Sequence, residues 1–327
     1  SFMMRKFPRF ISSQISRFFS ADSLIKMQTP VFMPFYHVVS DEKLPHIINY
    51  NYRNISQFEN ELDFYLQHYQ PVSIEELMSN PFPRKKVFHI SFDDGLKECY
   101  EIIAPILLKK GIPASFFINT GFVNNRALFH KYKASLIVQY LKEKPHPEAI
   151  KKLKENQLHG INILKTTILQ TEILDKVAEI IDLDFEDFLQ SRKPYLTTEQ
   201  LIQLQNQGFT IGAHSVNHPE FWLISAEKQK EEIVQSVNWV KENVHPKIKT
   251  FAFPYSDFGV DKNVIDSISK EKICDLSFGT AGVKFDETEN HFQRYPVELK
   301  GDFIQNLKSE LVYFALRKSI GQATVKH

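Results

Sequence analysis

An apolar run that stops on two adjacent carboxylates constrains this chain more than any other feature. Val87-Phe88-His89-Ile90-Ser91-Phe92 reads as a strand, and Asp93-Asp94-Gly95 follows at once. Residues 97–110 then take helical spacing, Gly111 and Pro113 turn the chain, and Ala114-Ser115-Phe116-Phe117-Ile118-Asn119 supplies a second apolar run. Strand, helix and strand in that order form a parallel pair, and runs that are apolar throughout belong to sheets covered on both faces. Phe209-Thr210-Ile211-Gly212 and Thr250-Phe251-Ala252-Phe253 supply further strands. Residues 31–39 read as another, giving way to a polar loop at 40–45 whose position can face a cleft. The expected class is α/β with a mostly parallel sheet.

Helices fill the intervals. Residues 55–69 place Phe58, Leu62, Tyr65 and Leu66 on one side, with Ser56 and Glu59 at capping spacing. Ser73 with Glu76 marks a short helix, Thr197 or Thr198 begins one that ends at Gln207 before Gly208, and residues 225–242 read as a further amphipathic helix. Between Phe122 and Pro194 the rhythm changes to lysine-rich helical patterns at 128–141, 149–158 and 161–181, too long a stretch for a loop. The expectation is a helical insertion that either shapes a substrate groove or serves as a structural cap or dimer surface. The chain thus divides into an N-terminal amphipathic extension at 1–29 and a main domain at 30–327, with the insertion at 122–194 inside it.

With 327 residues, 43% of them hydrophobic, the chain has ample material for a core and is not expected to be disordered. Forty Lys plus Arg against 39 Asp plus Glu leave no overall positive field, so no nucleic-acid partner is expected. Cys99 and Cys274 have no second thiol nearby, which removes a CxxC metal or redox site and makes a disulfide framework unexpected. At the start, Arg5, Lys6, Arg9 and Arg17 are interspersed with Phe7, Phe10, Ile11, Ile15, Phe18 and Phe19, a pattern open to weak membrane-surface contact or to ordinary packing. No apolar stretch is long enough to span a bilayer, and the start lacks the apolar core of a secretory signal. The expected location is cytoplasmic or membrane-peripheral, or the cell envelope if a leader was removed.

Chemistry concentrates at two places. Adjacent side chains diverge in extended backbone, so one carboxylate of Asp93-Asp94 can bind a metal while the other handles a proton; an ordinary turn and helix cap is the plainer reading of that piece alone. In His214-Ser215-Val216-Asn217-His218 two imidazoles four positions apart can converge on one ion if the backbone makes a helical turn, although a surface or core pair explains them equally well in isolation. Together with Asp94 they make two nitrogens and one oxygen, a set suited to Zn2+, with Co2+, Ni2+, Mn2+ or Fe2+ as other occupants.

Taken in order, Ser91-Phe92-Asp93-Asp94-Gly95, His214-Ser215-Val216-Asn217-His218 and Phe251-Ala252-Phe253-Pro254-Tyr255 resemble the motifs of the polysaccharide deacetylase family, the NodB-type carbohydrate esterases of carbohydrate esterase family 4. The resemblance extends to Tyr36-His37 and to Tyr195-Leu196-Thr197-Thr198-Glu199-Gln200-Leu201, and the insertion lies outside it. It implies a distorted, incomplete (β/α) barrel with its site at the carboxyl ends of the strands. It also implies Asp94, His214 and His218 as metal ligands and Asp93 as catalytic base, with a backbone N–H, that of Tyr255, assisting the carbonyl oxygen. The activity implied is metal-dependent removal of N-acetyl groups from a bacterial polysaccharide or glycolipid, an N-acetylated glycan being the partner. Alternatives are O-acetyl ester or other small-amide hydrolysis, and a carbohydrate-binding protein with a vestigial metal site.

Two departures from the family pattern bear on the catalyst. The late histidine of a Leu-x-His motif has no clean match, so His291 is the expected substitute as acid, with His37 second and proton return by Asp93 third. The arginine that many members carry before the proline-tyrosine segment is replaced by Phe251; Arg294, in Arg294-Tyr295-Pro296-Val297, is expected to hold Asp93 ionised from across the cleft instead. This departure resembles a branch acting on poly-N-acetylglucosamine or related envelope glycans. His37, Pro254, Tyr255 and Trp222 are the expected substrate contacts, with Phe258 beside them, while Glu42, Asp257 and Asp275 are assigned to loop solvation.

Overall fold

In the structure, a computed structural model that describes residues 9–327, the apolar runs pair into one parallel sheet. Its strands are β1 (Pro34–Tyr36), β2 (Ile90–Asp93), β3 (Ala114–Ile118), β4 (Thr210–Ala213), β5 (Thr250–Ala252), β6 (Leu276–Phe278), β7 (His291–Phe292) and β8 (Tyr295–Pro296). Across the sheet they run β7-β6-β5-β4-β3-β2-β1-β8, every pairing parallel. Only two residues separate β7 from β8, so one short segment, 291–296, pairs with β6 at one edge of the sheet and with β1 at the other. The sheet is thereby curled into a distorted, incomplete (β/α) barrel.

The two-residue period of the strands sorts side chains between the barrel interior and the helical layer. On β2, Ile90 and Phe92 face outward into the main core, where Phe92 stacks on Tyr36 and Phe116, while Ser91 and Asp93 face inward. Helices Ile55–His68, Ala104–Lys110, Thr198–Asn206 and Ala226–Val244 cover the outer face, and Phe58, Leu107, Leu201 and Ile233 are fully buried against it. Each such side chain contributes about 1.5–3 kcal/mol by leaving water.

Local signals placed most helix starts. Ser73 and Glu76 form a capping box, as do Thr197 and Gln200, and Ser225 caps the helix that follows it. At Ile55–His68 the cap is Asn54 with Gln57, not Ser56 with Glu59; both pairs have the right spacing, but the chain enters the helix one residue after Asn54. In the insertion, helices span His130–Glu143, Pro147–Glu155 and Phe185–Arg192. The long pattern at 161–181 is broken at Thr166-Thr167, where extended backbone separates two short 3-10 turns, and a regular helix resumes only at Thr171–Ile180.

At the N-terminus, Arg5, Lys6 and Phe7 lie outside the described residues. Helix Arg9–Ser16 packs on Phe303–Ser319 through its small side chains, Ser12 and Ser16, with Arg9 paired to Glu310 at 2.5 Å. Ile15 also packs against the main core, whereas Phe10 and Phe18 remain 71% and 87% exposed and lie off the packing face. Among the described residues no helix is long and apolar enough to cross a membrane.

Candidate metal centre

The two carboxylates leave the end of β2 in different directions because the backbone turns left-handed at once: φ is 79° at Asp94 and 68° at Gly95. Asp93 points into the barrel. Asp94 points toward the loop after β4, where Ser215 and His218 also have positive φ, of 73° and 54°. The paired histidines therefore converge through a loop that turns left-handed twice and not through a helical turn. Asn119, at the end of β3, holds this loop from one side by donating to the His214 carbonyl at 2.6 Å. Glu232 holds it from the other, accepting from the backbone N–H groups of Val216 and Asn217.

His214 Nε2 and His218 Nε2 lie 3.4 and 3.0 Å from Asp94 Oδ1, and all three residues are buried. Asp94 Oδ1 makes no hydrogen bond of acceptable angle despite those distances. A buried carboxylate oxygen left so, beside two imidazole nitrogens, is a donor set that fits a divalent cation. The Nδ1–H of His214 donates to the Ala252 carbonyl at 2.7 Å, which directs Nε2 into the site as a ligand. The second oxygen of Asp94 accepts from Tyr50 in a short hydrogen bond and from Tyr132 at 3.4 Å. Burial first, and the Asp94 charge with it, push both phenols well above their ordinary pKa, so they stay donors. Burial alone would raise Asp94; His218 and His214 outweigh it and hold the group well below the usual carboxylate range.

Asp93 sits beside this trio, its Oδ2 3.6 Å from His214 Nε2. Arg294 grips it with a two-pronged contact, NH1 to Oδ1 at 2.7 Å and NH2 to Oδ2 at 2.9 Å, and is itself 1% exposed between the rings of Phe35 and Phe117. Against the cost of burial, Arg294, then His214 and His37, keep Asp93 below its ordinary pKa.

His37 leaves the end of β1 and stacks on the Tyr50 ring at 3.9 Å. Its Nδ1–H donates to Glu298 at 2.5 Å, and its own backbone N–H donates to the same carboxylate. Burial disfavours its charged form, but Glu298, backed by Asp94 and Asp93, wins and raises His37 to about 9.

His291 is not brought to this place. Its Nδ1 is 2.6 Å from Ser277 Oγ and its Nε2 2.7 Å from Asp257, so both ring nitrogens are committed elsewhere, because β7 lies at the far edge of the sheet from β2. Asp257 is likewise buried and not a solvated loop residue. Pro254 is buried as well and shapes the turn out of β5. Tyr255, with φ of 56°, lays its ring 4.6 Å from that of His218 and bonds through its hydroxyl to His130 at 3.0 Å. Trp222, 45% exposed, meets Tyr255 edge-on, and Phe258 is 81% exposed. The insertion thus enters the site itself, through His130, Tyr132 and the Phe129 ring 4.3 Å from His218. Tyr50, Tyr132, His130 and Glu298 were not singled out in the sequence.

Residues 81–272 match the family described as "Polysaccharide deacetylase". Among solved structures, the chain is similar to the Streptococcus pyogenes deacetylase PplD in complex with acetate (16% identity, 87% of this chain and 99% of that one, TM-score 0.56). It is similar also to IcaB from Ammonifex degensii (17%, 88% and 98%, 0.56) and to a de-N-acetylase from Aggregatibacter actinomycetemcomitans (14%, 85% and 99%, 0.54). At these identities the likeness is one of fold. No curated protein sequence matches the chain.

Proposed function

Because the chain belongs to the polysaccharide deacetylase family and is a metal-dependent hydrolase of N-acetylated sugars, we propose how its residues divide that work. The observation that carries the reading is the pair of carboxylates: one turned to two imidazoles, its neighbour clamped by an arginine next to them. Asp94, His214 and His218 would hold the ion, and two imidazole nitrogens with one carboxylate oxygen suit Zn2+ first, then Co2+, Ni2+, Mn2+ or Fe2+. When bound, such an ion lowers the pKa of water and polarises the acetyl carbonyl.

Asp93, kept ionised by Arg294, takes a proton from the attacking water. The water oxygen bonds to the carbonyl carbon, and the Tyr255 N–H donates to the oxygen that becomes negative. His37, charged and oriented by Glu298, gives a proton to the sugar nitrogen as the carbon–nitrogen bond breaks, leaving acetate and a free amine. His37 takes the acid role from His291 because it alone of the two lies beside Tyr50, which bonds to Asp94. Tyr255, Trp222 and Phe258 offer ring faces to the sugar, and the glycan or glycolipid approaches over them. A de-N-acetylase among the similar folds supports the amide over the ester. The exposed Phe10, Phe18 and Phe19, with Arg17 near them, support weak contact with a membrane surface.

Acetate release from N-acetylglucosamine oligomers and an N-acetylated glycolipid by zinc-loaded protein tests this. Asp93→Asn should keep its metal and lose at least about 10²-fold in kcat. Unchanged turnover in that variant, or no acetate from any N-acetylated sugar, would remove the reading.

A further inference from the structure

A second set of metal-binding side chains converges away from the deacetylation site. Asp257, in the loop after β5, Asp286, in the short strand Phe285–Asp286, His291 at the start of β7, and His327 bring one donor atom each to within 4.8 Å of one another. Their side chains are at most 5% exposed. His291 Nε2 is 2.7 Å from Asp257 Oδ2, and His327 Nε2 is 2.9 Å from Asp286 Oδ2. The two crossed pairs are both 3.9 Å apart.

Four nitrogen or oxygen ligands at zinc bond lengths stand about 3.3–3.4 Å from each other in a tetrahedron. The four carboxylate–imidazole separations fall two below and two above that edge and the remaining two lie within 4.8 Å, so shifts of about an ångström or less gather the set on a single ion. The surroundings already orient the donors. Ser277 holds His291 by its other nitrogen, and the Gln293 amide donates to both carboxylates at 2.8 Å. Charge fits too: an imidazole ligand gives up any extra proton to the solvent as it binds, so two carboxylates would offset a divalent cation in a place with little access to water.

We propose that this cluster is a closed structural site for a divalent metal, zinc by its ligand set, with four protein ligands and no position left for substrate. Its evident task is fastening. The strand Thr324–Val325 is held to Phe285–Asp286 by a two-residue parallel pairing, too short to be stable alone. An ion bound by Asp286 and His327 locks that pairing, and through Asp257 it also fixes the loop that carries Tyr255. The proposal is independent of the deacetylase reading, since none of its four ligands belongs to the catalytic set.

Protein stripped by chelator, reloaded with zinc chloride alone and desalted would be assayed for bound metal. Wild type should retain two zinc ions per chain, His214→Ala/His218→Ala one, Asp286→Asn/His327→Ala one, and the fourfold variant none. Cobalt in His214→Ala/His218→Ala should show the visible bands of four-coordinate Co2+. A zinc content that Asp286→Asn/His327→Ala leaves unchanged, whether one ion or two in wild type, would overturn the proposal and leave a hydrogen-bonded ion-pair network only; a single ion lost in that variant and kept in His214→Ala/His218→Ala would support it. Hydrogen exchange on wild type decides the matter without any variant: zinc should slow exchange at residues 322–327, and unchanged exchange there would count against a clamp.

Discussion

Asp93 and Asp94 are chemically the same residue, and their neighbours give them different work. Arg294 clamps both oxygens of Asp93, whereas Asp94 splits its oxygens between two tyrosines and two imidazoles. His37 shows the same dependence. Its pKa of about 9 exists because Glu298 outweighs the penalty of burial. With a cation taking up the charge of Asp94, Glu298 is left as its main support. As an acid, His37 acts only while protonated, so the rate should fall as pH rises through its pKa. Glu298→Gln removes the raising charge, and the alkaline limb of kcat should move to lower pH by about one to two units. A pH–rate profile checks this; an unmoved limb would take the acid role away from His37.

Elements matter here mainly where they end. The turn after β2 needs two left-handed residues in succession, and a Cβ on Gly95 would stand 2.9 Å from Ile118 Cγ2 on β3. Gly95→Ala should cost about 2–4 kcal/mol, the left-handed backbone accounting for about 1–2 of it, read as a lower denaturation midpoint. Zinc affinity should fall with it, because the same turn aims Asp94. The insertion and the loop after β1 support that ligand through Tyr132 and Tyr50. Tyr50→Phe and Tyr132→Phe should each keep the fold and weaken zinc binding about 10- to 100-fold, measured by competition with a chelating dye. Unchanged affinity in both would make the tyrosines mere walls.

For the molecule as a whole, the decisive joint is the segment 291–296, which serves both edges of the sheet. Arg294 stands in its middle and reaches across the interior to Ser91 and Asp93 on β2, making the clamp on Asp93 also a brace of the barrel. Arg294→Met would leave a buried carboxylate unpaired, and an expected loss of about 3–5 kcal/mol should appear in urea unfolding together with lost activity. A loss below about 1 kcal/mol would show that the barrel stands without this brace.

What the sequence determined by itself was whatever neighbours along the chain decide. Apolar runs, Gly and Pro punctuation and capping pairs placed the strands and most helices, and the Asp93-Asp94 and His214 to His218 motifs carried their chemistry within a few residues. The ion-pair partner of Asp93 was also legible, because Arg294 belongs to a recognisable motif. Tertiary structure alone decided the rest. Glu298 lies 261 positions from His37, and Tyr132 comes from a helix 38 positions beyond Asp94. His291 went to Asp257 and not to Asp93 because its strand lies at the opposite sheet edge. Such contacts depend on how far the sheet curls and on which edge a segment joins, and no local spacing records either.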